Sequence, residues 1–489
     1  MVQVIVIGSG IAGLAAAIRL ARQGIEVAVY EASGKPGGKV SQLQFNGFRF
    51  DTGPSLLTLP SLILELLDED LQFHIKKLDI ITRYFYEDGT ILSAFSDADK
   101  MIEEISTKLP VQKNTIKSYL EKASDIYNLT SDLFIFGTFH HIKSLVNLKS
   151  LNTVMNFRKL HAFATLHDFN QKQLSEAHLV QLFDRYATYN GSNPYQAPAT
   201  LSVISHLEHN TGAFIPQAGM YTIVHSLQQQ AERLGVIFHF NANVEKVECH
   251  KGKVNGIWIN GELIPSDMVV SDIDIHRFYS VLMPDKKRLT NIQKQERSTS
   301  ALIFYWGIKG NFPEMDIHNI FFSAHYKDEF DHLFEKGEVY SDPTVYIYIS
   351  SKYQKSDAPD GHENWFVMIN APADKGQPWT QIIKQARKDI LAKMERILDK
   401  SIKDKIVCEQ VLSPPDIERL TGSVNGSIYG SSSNSRFSSF NRHANFRSDM
   451  KGLFFVGGSV HPGGGIPLCL SSARIVAGLV KEQLRKTKQ

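Results

Sequence analysis

A glycine element and one carboxylate near the start of the chain have the types and spacing of a dinucleotide-binding site. Gly8, Gly10 and Gly13 form a GxGxxG pattern between an apolar, β-branched run and a helical pattern. Such glycines allow a tight turn, let backbone N–H groups approach a pyrophosphate and permit close packing of the following helix. Glu31 ends the next apolar run, where a carboxylate accepts hydrogen bonds from ribose hydroxyls and repels a 2′-phosphate. The pattern therefore predicts a dinucleotide cofactor other than a phosphorylated nicotinamide.

The elements around these residues fit one βαβ unit. Residues 2–7 are typical of a strand buried on both faces, residues 14–24 have a helical pattern, and residues 27–30 suit a second strand. The crossover between the two strands is expected to be right-handed. In this context a GxGxxG element indicates nucleotide binding far more strongly than isolated glycines do.

Strand patterns return in the middle and at the end of the chain. Residues 236–259 alternate apolar and polar side chains, residues 268–273 suit a short buried strand, and residues 452–460 run into a second glycine-rich loop before a terminal amphipathic helix. We therefore predict an α/β fold with a discontinuous, Rossmann-like nucleotide-binding domain and a substrate-binding domain with a mixed sheet and a helical insertion. The predicted limits are 1–75, 210–290 and 405–489 for the first domain, and 76–209 and 291–404 for the second, with 100–185 mainly helical.

Composition narrows the class of protein. A length of 489 residues exceeds one ordinary hydrophobic core, and the near balance of 53 basic and 51 acidic residues gives no general electrostatic reason to bind nucleic acid. The widely separated Cys249, Cys408 and Cys469 fit a reducing compartment and have no metal-ligand spacing, so no metal site is predicted. We expect no signal peptide, and no apolar stretch reaches the roughly 18 residues of a membrane-spanning helix.

A second glycine pair near the start of the chain favours FAD over NAD, and a third glycine-rich segment lies near its end. KPGGK at 35–39 directly follows the second predicted strand and precedes GFRFDTGPS at 47–55, whereas GGSVHPGGGIP occupies 457–467. A second glycine pair with flanking cations suits the longer FAD molecule. With these motifs the sequence resembles the flavin-dependent amine oxidase and carotenoid desaturase superfamily. The resemblance implies an FAD-binding domain of the glutathione-reductase and amine-oxidase type, with FAD as the cofactor.

The resemblance also assigns cofactor contacts. It places residues 37–39 along the pyrophosphate and ribityl chain, residues 51–55 close to the flavin, the backbone of Val244 in the 241–248 strand at the adenine, and Gly458 near the ribityl and phosphate groups. A helix beginning near Ile466 would direct its positive end at the pyrimidine edge of the flavin ring. The residues predicted to bind the cofactor are Gly8, Gly10, Ile11, Ala12, Gly13, Glu31, Ala32, Gly37, Gly38, Lys39, Gly53, Pro54, Ser55, Val244, Gly457, Gly458, Gly465, Ile466 and Pro467.

Other segments resemble the CrtI-type carotenoid desaturases in particular. These are RYATYNGSNPYQAPA at 185–199, PQAGM at 216–220 and HPGGGIP at 461–467. IYGSSSNSRF at 428–437 and RHAN at 442–445 are more similar to the hydroxycarotenoid 3,4-desaturase (CrtD) branch. That branch implies transfer of a hydride to flavin and loss of a proton from the neighbouring carbon, which introduces a C=C bond into a long acyclic 1-hydroxycarotenoid. Such chemistry mainly requires a dry apolar tunnel that presents one bond to the flavin.

Arg185 and His461 are the candidates for catalytic or other polar roles at the substrate end. For Arg185 the alternative is a helix-surface or interdomain ion pair. For His461 the alternative is a structural contact within the flavin loop. The sequence leaves the final electron acceptor open.

One basic segment suggests contact with a membrane surface. Residues 133–167 contain no Asp or Glu but include Lys143, Lys149, Arg158 and Lys159 among aromatic and aliphatic residues. Such a mixture suits peripheral binding to an anionic membrane, at about 1 kcal/mol per nearby cation. The alternative is a helix pair whose aromatic residues fill the domain core. We expect a peripheral protein on the cytoplasmic side of the membrane that binds no nucleic acid.

Other functions are compatible with the same motifs. A phytoene desaturase or a carotene isomerase would share the fold and the flavin, whereas nothing beyond the shared flavin elements suggests an amine oxidase. From another class, the Rab escort and GDP-dissociation-inhibitor proteins use this architecture as lipid-binding chaperones without flavin chemistry. The presence of the GxGxxG loop, Glu31 and the C-terminal glycine loop together favours a working flavin site.

Overall fold

The computed structural model describes residues 3–138, 140, 160–161, 163–435 and 438–487. Its strands are β1 Gln3–Ile7, β2 Glu26–Tyr30, β3 Gln42–Phe45, β4 Phe48–Asp51, β5 Ile75–Lys77, β6 Ile80–Phe85, β7 Ile91–Phe95, β8 Phe214–Pro216, β9 Ile237–His239, β10 Lys246–His250, β11 Lys253–Ile259, β12 Glu262–Pro265, β13 Met268–Ser271, β14 Ser300–Lys309, β15 His318–Phe321, β16 Val345–Tyr348, β17 His362–Ala371, β18 Ile406–Leu412 and β19 Leu453–Phe455. The described α-helices are α1 Ile11–Ala21, α2 Ser61–Leu64, α3 Ala98–Lys108, α4 Lys113–Thr130, α5 Leu166–Leu174, α6 Ala177–Asp184, α7 Val203–His206, α8 Tyr221–Arg233, α9 Ile275–Arg277, α10 Lys286–Gln293, α11 Tyr326–Asp331, α12 Trp379–Leu398, α13 Pro414–Thr421, α14 Ser438–Asn441 and α15 Ile466–Thr487.

A five-stranded parallel sheet has the order β19-β13-β1-β2-β9 and draws its strands from the start, the middle and the end of the chain. The strands β1 and β2 are apolar and buried after their first residue because both faces of the sheet are covered there. On one face Val4 and Val6 pack against α1, α8 and α15, and on the other Ile5 and Ile7 pack against the three-stranded sheet β10-β11-β12. This arrangement confirms the predicted α/β class with a Rossmann-like sheet, while the exact domain limits stay a prediction.

A second, seven-stranded mixed sheet has the order β18-β14-β17-β16-β15-β6-β7. One face is apolar: Phe304, Trp306 and Val367 are buried in a cluster with Ile390 and Met394 of α12. The mixed sheet predicted for the substrate-binding domain is therefore present. The hairpin β6-β7 was not predicted, and it joins this sheet through a parallel pairing of β6 with β15.

The helices α3, α4, α5 and α6 share one apolar cluster with side chains of β6, β7 and β15. Tyr119 of α4 lies 4.3 Å from Phe183 of α6, measured between ring centres, and both side chains are fully buried. No helix among the described residues is both long and apolar enough to cross a membrane. Lys143, Lys149, Arg158 and Lys159, which carry the membrane-surface prediction, lie outside the described residues, so that prediction is untested.

Candidate functional site

The GxGxxG loop turns tightly from β1 into α1. Gly8 has a φ of +94°, in the region that favours glycine, and its N–H donates to the Tyr30 carbonyl at 2.8 Å. A Cβ added to Gly13 would overlap the carbonyl oxygen of Gly8, which shows why the helix can approach the strand so closely. The loop also binds the next motif, because Gly37 N–H donates to the Ser9 carbonyl at 2.9 Å.

The Glu31 carboxylate lies beside this loop at the end of β2. It accepts hydrogen bonds from the Ser9 N–H at 2.8 Å and from the Ser33 N–H at 2.9 Å. The Ala242 N–H donates to the Glu31 carbonyl at 2.8 Å, which brings the predicted adenine-binding segment next to the predicted ribose-binding residue. Val244 is buried in that segment but precedes β10, so its predicted place within a strand is wrong. The chain turns there before entering the three-stranded sheet.

The second glycine loop meets the first at one buried carboxyl group, that of Asp272. The Gly13 N–H donates to Asp272 Oδ2 at 2.9 Å, and a Cβ added to Gly10 would lie 2.5 Å from the same oxygen. A Cβ added to Gly457 would overlap the other Asp272 oxygen. The loops from opposite ends of the chain are therefore neighbours, as the flavin hypothesis requires. Sequence reasoning missed Asp272, although its position directly after β13 could have indicated it.

Burial determines the charge of Asp272. Loss of hydration raises the pKa of the carboxyl to about 7, against the opposing hydrogen bond from Gly13 N–H and with a further increase from the charge of Glu31. The N-terminus of α1 favours negative charge at this point, and Asp272 accepts from a donor that a pyrophosphate would also use. The Asp272 carboxyl group therefore accepts a hydrogen bond that an anionic ligand, such as a pyrophosphate, would accept when bound.

These features fit FAD. Gly10 and Gly457 carry no side chain at the point where the two loops meet, and α15 begins at Ile466, as expected for a helix directed at the flavin. A Cβ added to Gly465, which has a φ of +106°, would meet no atom within 4 Å among the described residues, so space is open beside the start of that helix. The individual cofactor contacts stay predictions.

The seven-stranded sheet has one face covered by α12, and its opposite face is called the inner face here. The 51–55 segment, predicted to lie close to the flavin, contacts this inner face. Ser55 Oγ lies 2.5 Å from Tyr346 Oη, and Tyr305 Oη donates to the Thr52 carbonyl at 3.4 Å. A Cβ added to Gly53 would overlap the Lys39 carbonyl oxygen, so the two predicted flavin-binding segments are also in contact. Ala32 and Gly38, two further residues predicted to bind the cofactor, are exposed at the surface.

Lys39 connects the flavin-binding segment to the region that resembles the desaturases. Its ammonium group donates to the Ile428 carbonyl at 2.6 Å. Burial lowers the pKa of Lys39, and the nearby Asp274 carboxylate partly offsets that decrease. A hydrogen-bonded cation at this point is consistent with the predicted place of Lys39 along the anionic part of FAD.

Arg185 is buried, so a helix-surface ion pair is excluded. Its guanidinium group lies 3.4 Å from Glu208 Oε2 and 4.7 Å from the centre of the Tyr186 ring. It also lies 5.3 Å from the centre of the Tyr84 ring on β6 and 5.2 Å from that of Tyr189. An arginine held by an ion pair and three aromatic faces is fixed in position. Its predicted substrate-end role is compatible with this geometry.

His461 lies in a separate network. Its Nε2–H donates to the Gly137 carbonyl at 2.9 Å, and its own carbonyl accepts from Asn445 Nδ2 at 2.7 Å. Burial lowers the pKa of His461 to about 4, so the ring is neutral at pH 7. Among the described residues, Arg185 and His461 share no hydrogen-bond partner. The contacts of His461 suit a structural position in the C-terminal glycine loop.

The comparisons with known proteins agree with this geometry. A family model for flavin-containing amine oxidoreductases matches residues 11–481. The chain is 44% identical over 484 residues to a 1-hydroxycarotenoid 3,4-desaturase of Flavobacterium sp. (strain P99-3), which covers 98% of this chain and 99% of that protein. It is 28% identical over 496 residues to a 4,4′-diaponeurosporene oxygenase of Staphylococcus aureus (strain MSSA476), with 99% of each chain covered. A solved triple mutant of putrescine oxidase aligns with a TM-score of 0.65 and 15% identity over 99% of both chains, which supports the fold alone.

Proposed function

The chain belongs to the flavin-containing amine oxidoreductase family and is an FAD-dependent oxidoreductase. From this we propose that it desaturates an acyclic 1-hydroxycarotenoid between carbons 3 and 4. The observation that carries this proposal is the 44% identity, over nearly the whole of both chains, to a protein with that activity. Both glycine loops of the flavin site are present, and they are adjacent at Asp272.

The residues of the chain have three tasks in such a reaction. FAD, when bound, supplies the two-electron acceptor that a dehydrogenation needs. The glycine loops hold the cofactor, while Glu31 orients its ribose. The inner face of the seven-stranded sheet packs the rings of Tyr305 and Phe366, both nearly fully buried, beside the 51–55 segment and provides a mainly aromatic surface there. An elongated hydrocarbon can be excluded from water and oriented there without any covalent participation of the protein.

Product analysis with purified holoprotein tests the proposal. We expect a 1-hydroxylated acyclic carotene to lose two hydrogens and gain one conjugated double bond, whereas phytoene is left unchanged. Mass spectrometry and absorption spectra of the extracted carotenoids measure both outcomes. Conversion of phytoene with no conversion of the hydroxylated carotene would contradict the proposal and indicate a phytoene desaturase.

We also propose that the protein binds the cytoplasmic face of an anionic membrane through its basic segment. The support is the run without acidic residues at 133–167. Reversing Lys143, Lys149, Arg158 and Lys159 to glutamate is expected to weaken flotation with anionic liposomes by more than about tenfold, because about 1 kcal/mol per cation is lost. Reversal of the exposed pair Lys286 and Lys287 is the matched control, and equal flotation of all three proteins would contradict the proposal.

A further inference from the structure

Two strands of the seven-stranded sheet and Arg185, which lies 5.3 Å from the Tyr84 ring, bring three buried polar atoms with unused hydrogen-bonding capacity to one side of the sheet. Among the described residues, Tyr84 Oη, Arg185 Nε and His318 Nε2 make no hydrogen bond of normal length, although the side chains of Arg185 and Thr82 are close enough to the Tyr84 hydroxyl to act on its pKa. Ile320 of β15 is opposite Tyr84 of β6, and His318 is two residues from Ile320, so His318 and Tyr84 share one face of adjacent strands. Buried polar groups in native proteins are nearly always paired. A cluster of three such atoms therefore indicates a polar ligand.

The surrounding contacts orient these atoms. His318 Nδ1 is 2.7 Å from Tyr346 Oη, which leaves Nε2 as the ring nitrogen directed elsewhere. Burial lowers the pKa of His318 to about 3, with a smaller effect from the Arg185 charge, so the ring is neutral. Glu208 accepts from Tyr186 Oη at 2.9 Å and pairs with Arg185 at 3.4 Å. The positive charge of Arg185 is therefore already balanced by a buried carboxylate.

The ligand chemistry follows from this donor set. Arg185 Nε–H can only donate, whereas the Tyr84 hydroxyl and the neutral His318 ring can each donate or accept. Because Glu208 balances the only cation of the cluster, the site offers no excess charge to a carboxylate or a phosphate. A neutral oxygen that both accepts and donates hydrogen bonds, as in an alcohol, satisfies all three atoms.

The position of the cluster agrees with the proposed reaction. Tyr346 connects His318 to Ser55, and Ser55 belongs to the segment predicted to lie close to the flavin. In a 1-hydroxycarotenoid the oxygen is three single bonds from carbon 3, a span of about 3.8 Å when the bonds are fully extended. A hydroxyl group held by the cluster would therefore keep the bond between carbons 3 and 4 beside the flavin segment.

We propose that Tyr84, Arg185 and His318 form a pocket for the tertiary hydroxyl group of the substrate and thereby select hydroxylated over hydrocarbon chain ends. This inference rests on the proposed function. It assigns the three residues a role in specificity and positioning, since none of them is needed to accept electrons.

The pocket is tested by measuring whether Tyr84→Phe loses the preference for a hydroxylated chain over the same chain without the hydroxyl group. In Tyr84→Phe we expect kcat/KM for a 1-hydroxylated acyclic carotene to fall about tenfold, the effect of one lost hydrogen bond. The value for the same chain without the hydroxyl group should change less than about twofold. Tyr119→Phe is the matched control, because it removes another buried hydroxyl, one that donates to Asn170 Oδ1 at 2.8 Å inside the helical cluster. Equal preference for the hydroxylated chain in Tyr84→Phe and wild type would overturn the pocket.

A binding measurement on the unmodified holoprotein separates this inference from the proposed function. A short branched tertiary alcohol and the alkane of the same carbon skeleton are titrated while the flavin absorption spectrum is followed. The pocket predicts that the alcohol binds about tenfold more tightly than the alkane, and that Tyr84→Phe or His318→Asn removes this difference. Equal binding of alcohol and alkane by the wild type would overturn the pocket even if the desaturase activity is present. Tighter alcohol binding without desaturation would support the pocket and refute the proposed reaction.

Discussion

Replacement of Gly13 with alanine is expected to yield a colourless protein without bound FAD. The added methyl group would overlap the Gly8 carbonyl oxygen and lie 3.1 Å from Asp272 Oδ2, so the loop must open. An open loop loses several hydrogen bonds to the pyrophosphate at about 1 kcal/mol or more each, which weakens FAD binding at least about a hundredfold. The ratio of flavin to protein absorbance after gel filtration measures the effect.

Gly24→Ala is the matched control for this prediction. Gly24 has a φ of +75° and no atom within 4 Å of an added Cβ among the described residues, so its substitution strains the backbone without a collision. We expect Gly24→Ala to keep its flavin with a small loss of thermal stability. Retention of flavin by Gly13→Ala, or the same flavin loss in both variants, would contradict the assigned role of the loop.

The affinity for FAD is expected to fall as the pH rises above 7. Burial raises the pKa of Asp272 to about 7, and a neutral carboxyl beside the first glycine loop can donate to a phosphate oxygen. Above pH 7 the ionised carboxylate repels the pyrophosphate and competes for the Gly13 N–H. The dissociation constant should therefore increase by up to about tenfold per pH unit. Fluorescence titration of the FAD-free protein between pH 6 and pH 9 measures this dependence.

Substitution of Asp272 with asparagine should remove most of this pH dependence. Asparagine keeps the shape and a hydrogen-bond acceptor for Gly13 N–H but has no charge to gain. Asp267→Asn is the control, because Asp267 is exposed immediately before β13, whereas Asp272 directly follows that strand. A wild-type affinity that is constant from pH 6 to pH 9 would show that Asp272 does not titrate near the cofactor.

The raised pKa of Asp272 also predicts how the stability of the FAD-free protein depends on pH. The pKa of Asp272 is about 7 in the folded state and 3.8 for an ordinary aspartate. The folded state therefore binds this proton more tightly, and the carboxyl contributes stability that is present below pH 4 and lost as the pH rises toward 7. Thermal unfolding of wild type and Asp272→Asn should converge at low pH and diverge in favour of asparagine near pH 7 and above.

Local patterns were sufficient to predict the parallel sheet and its loops. The strand at β1, the glycines after it and Glu31 are close in sequence, and their spacing is set by the dimensions of one βαβ unit. The start of α15 at Ile466 was predictable because a glycine-rich loop precedes an amphipathic run. These features depend on neighbours along the chain and could be read from the sequence alone.

Features that depend on strand order were not predictable in the same way. Asp272 became significant only because β13 lies between β1 and β19, which places its end between two loops that are distant in sequence. Tyr84 and His318 share a face only because β6 pairs in parallel with β15, a register that no local pattern encodes. The hairpin that contains β6 was itself missed, since helical patterns dominate the segment that follows it, residues 100–185.

A single-turnover reaction without oxygen tests the central claim most directly. Holoprotein is mixed with an equal amount of a 1-hydroxylated acyclic carotene, and the flavin and carotenoid spectra are recorded together. We predict that one equivalent of flavin is bleached for each double bond formed, with a product two hydrogens lighter and a carotenoid absorption shifted to longer wavelength. A flavin spectrum that stays oxidised while the carotene is unchanged, or a new double bond formed without flavin reduction, would contradict the account.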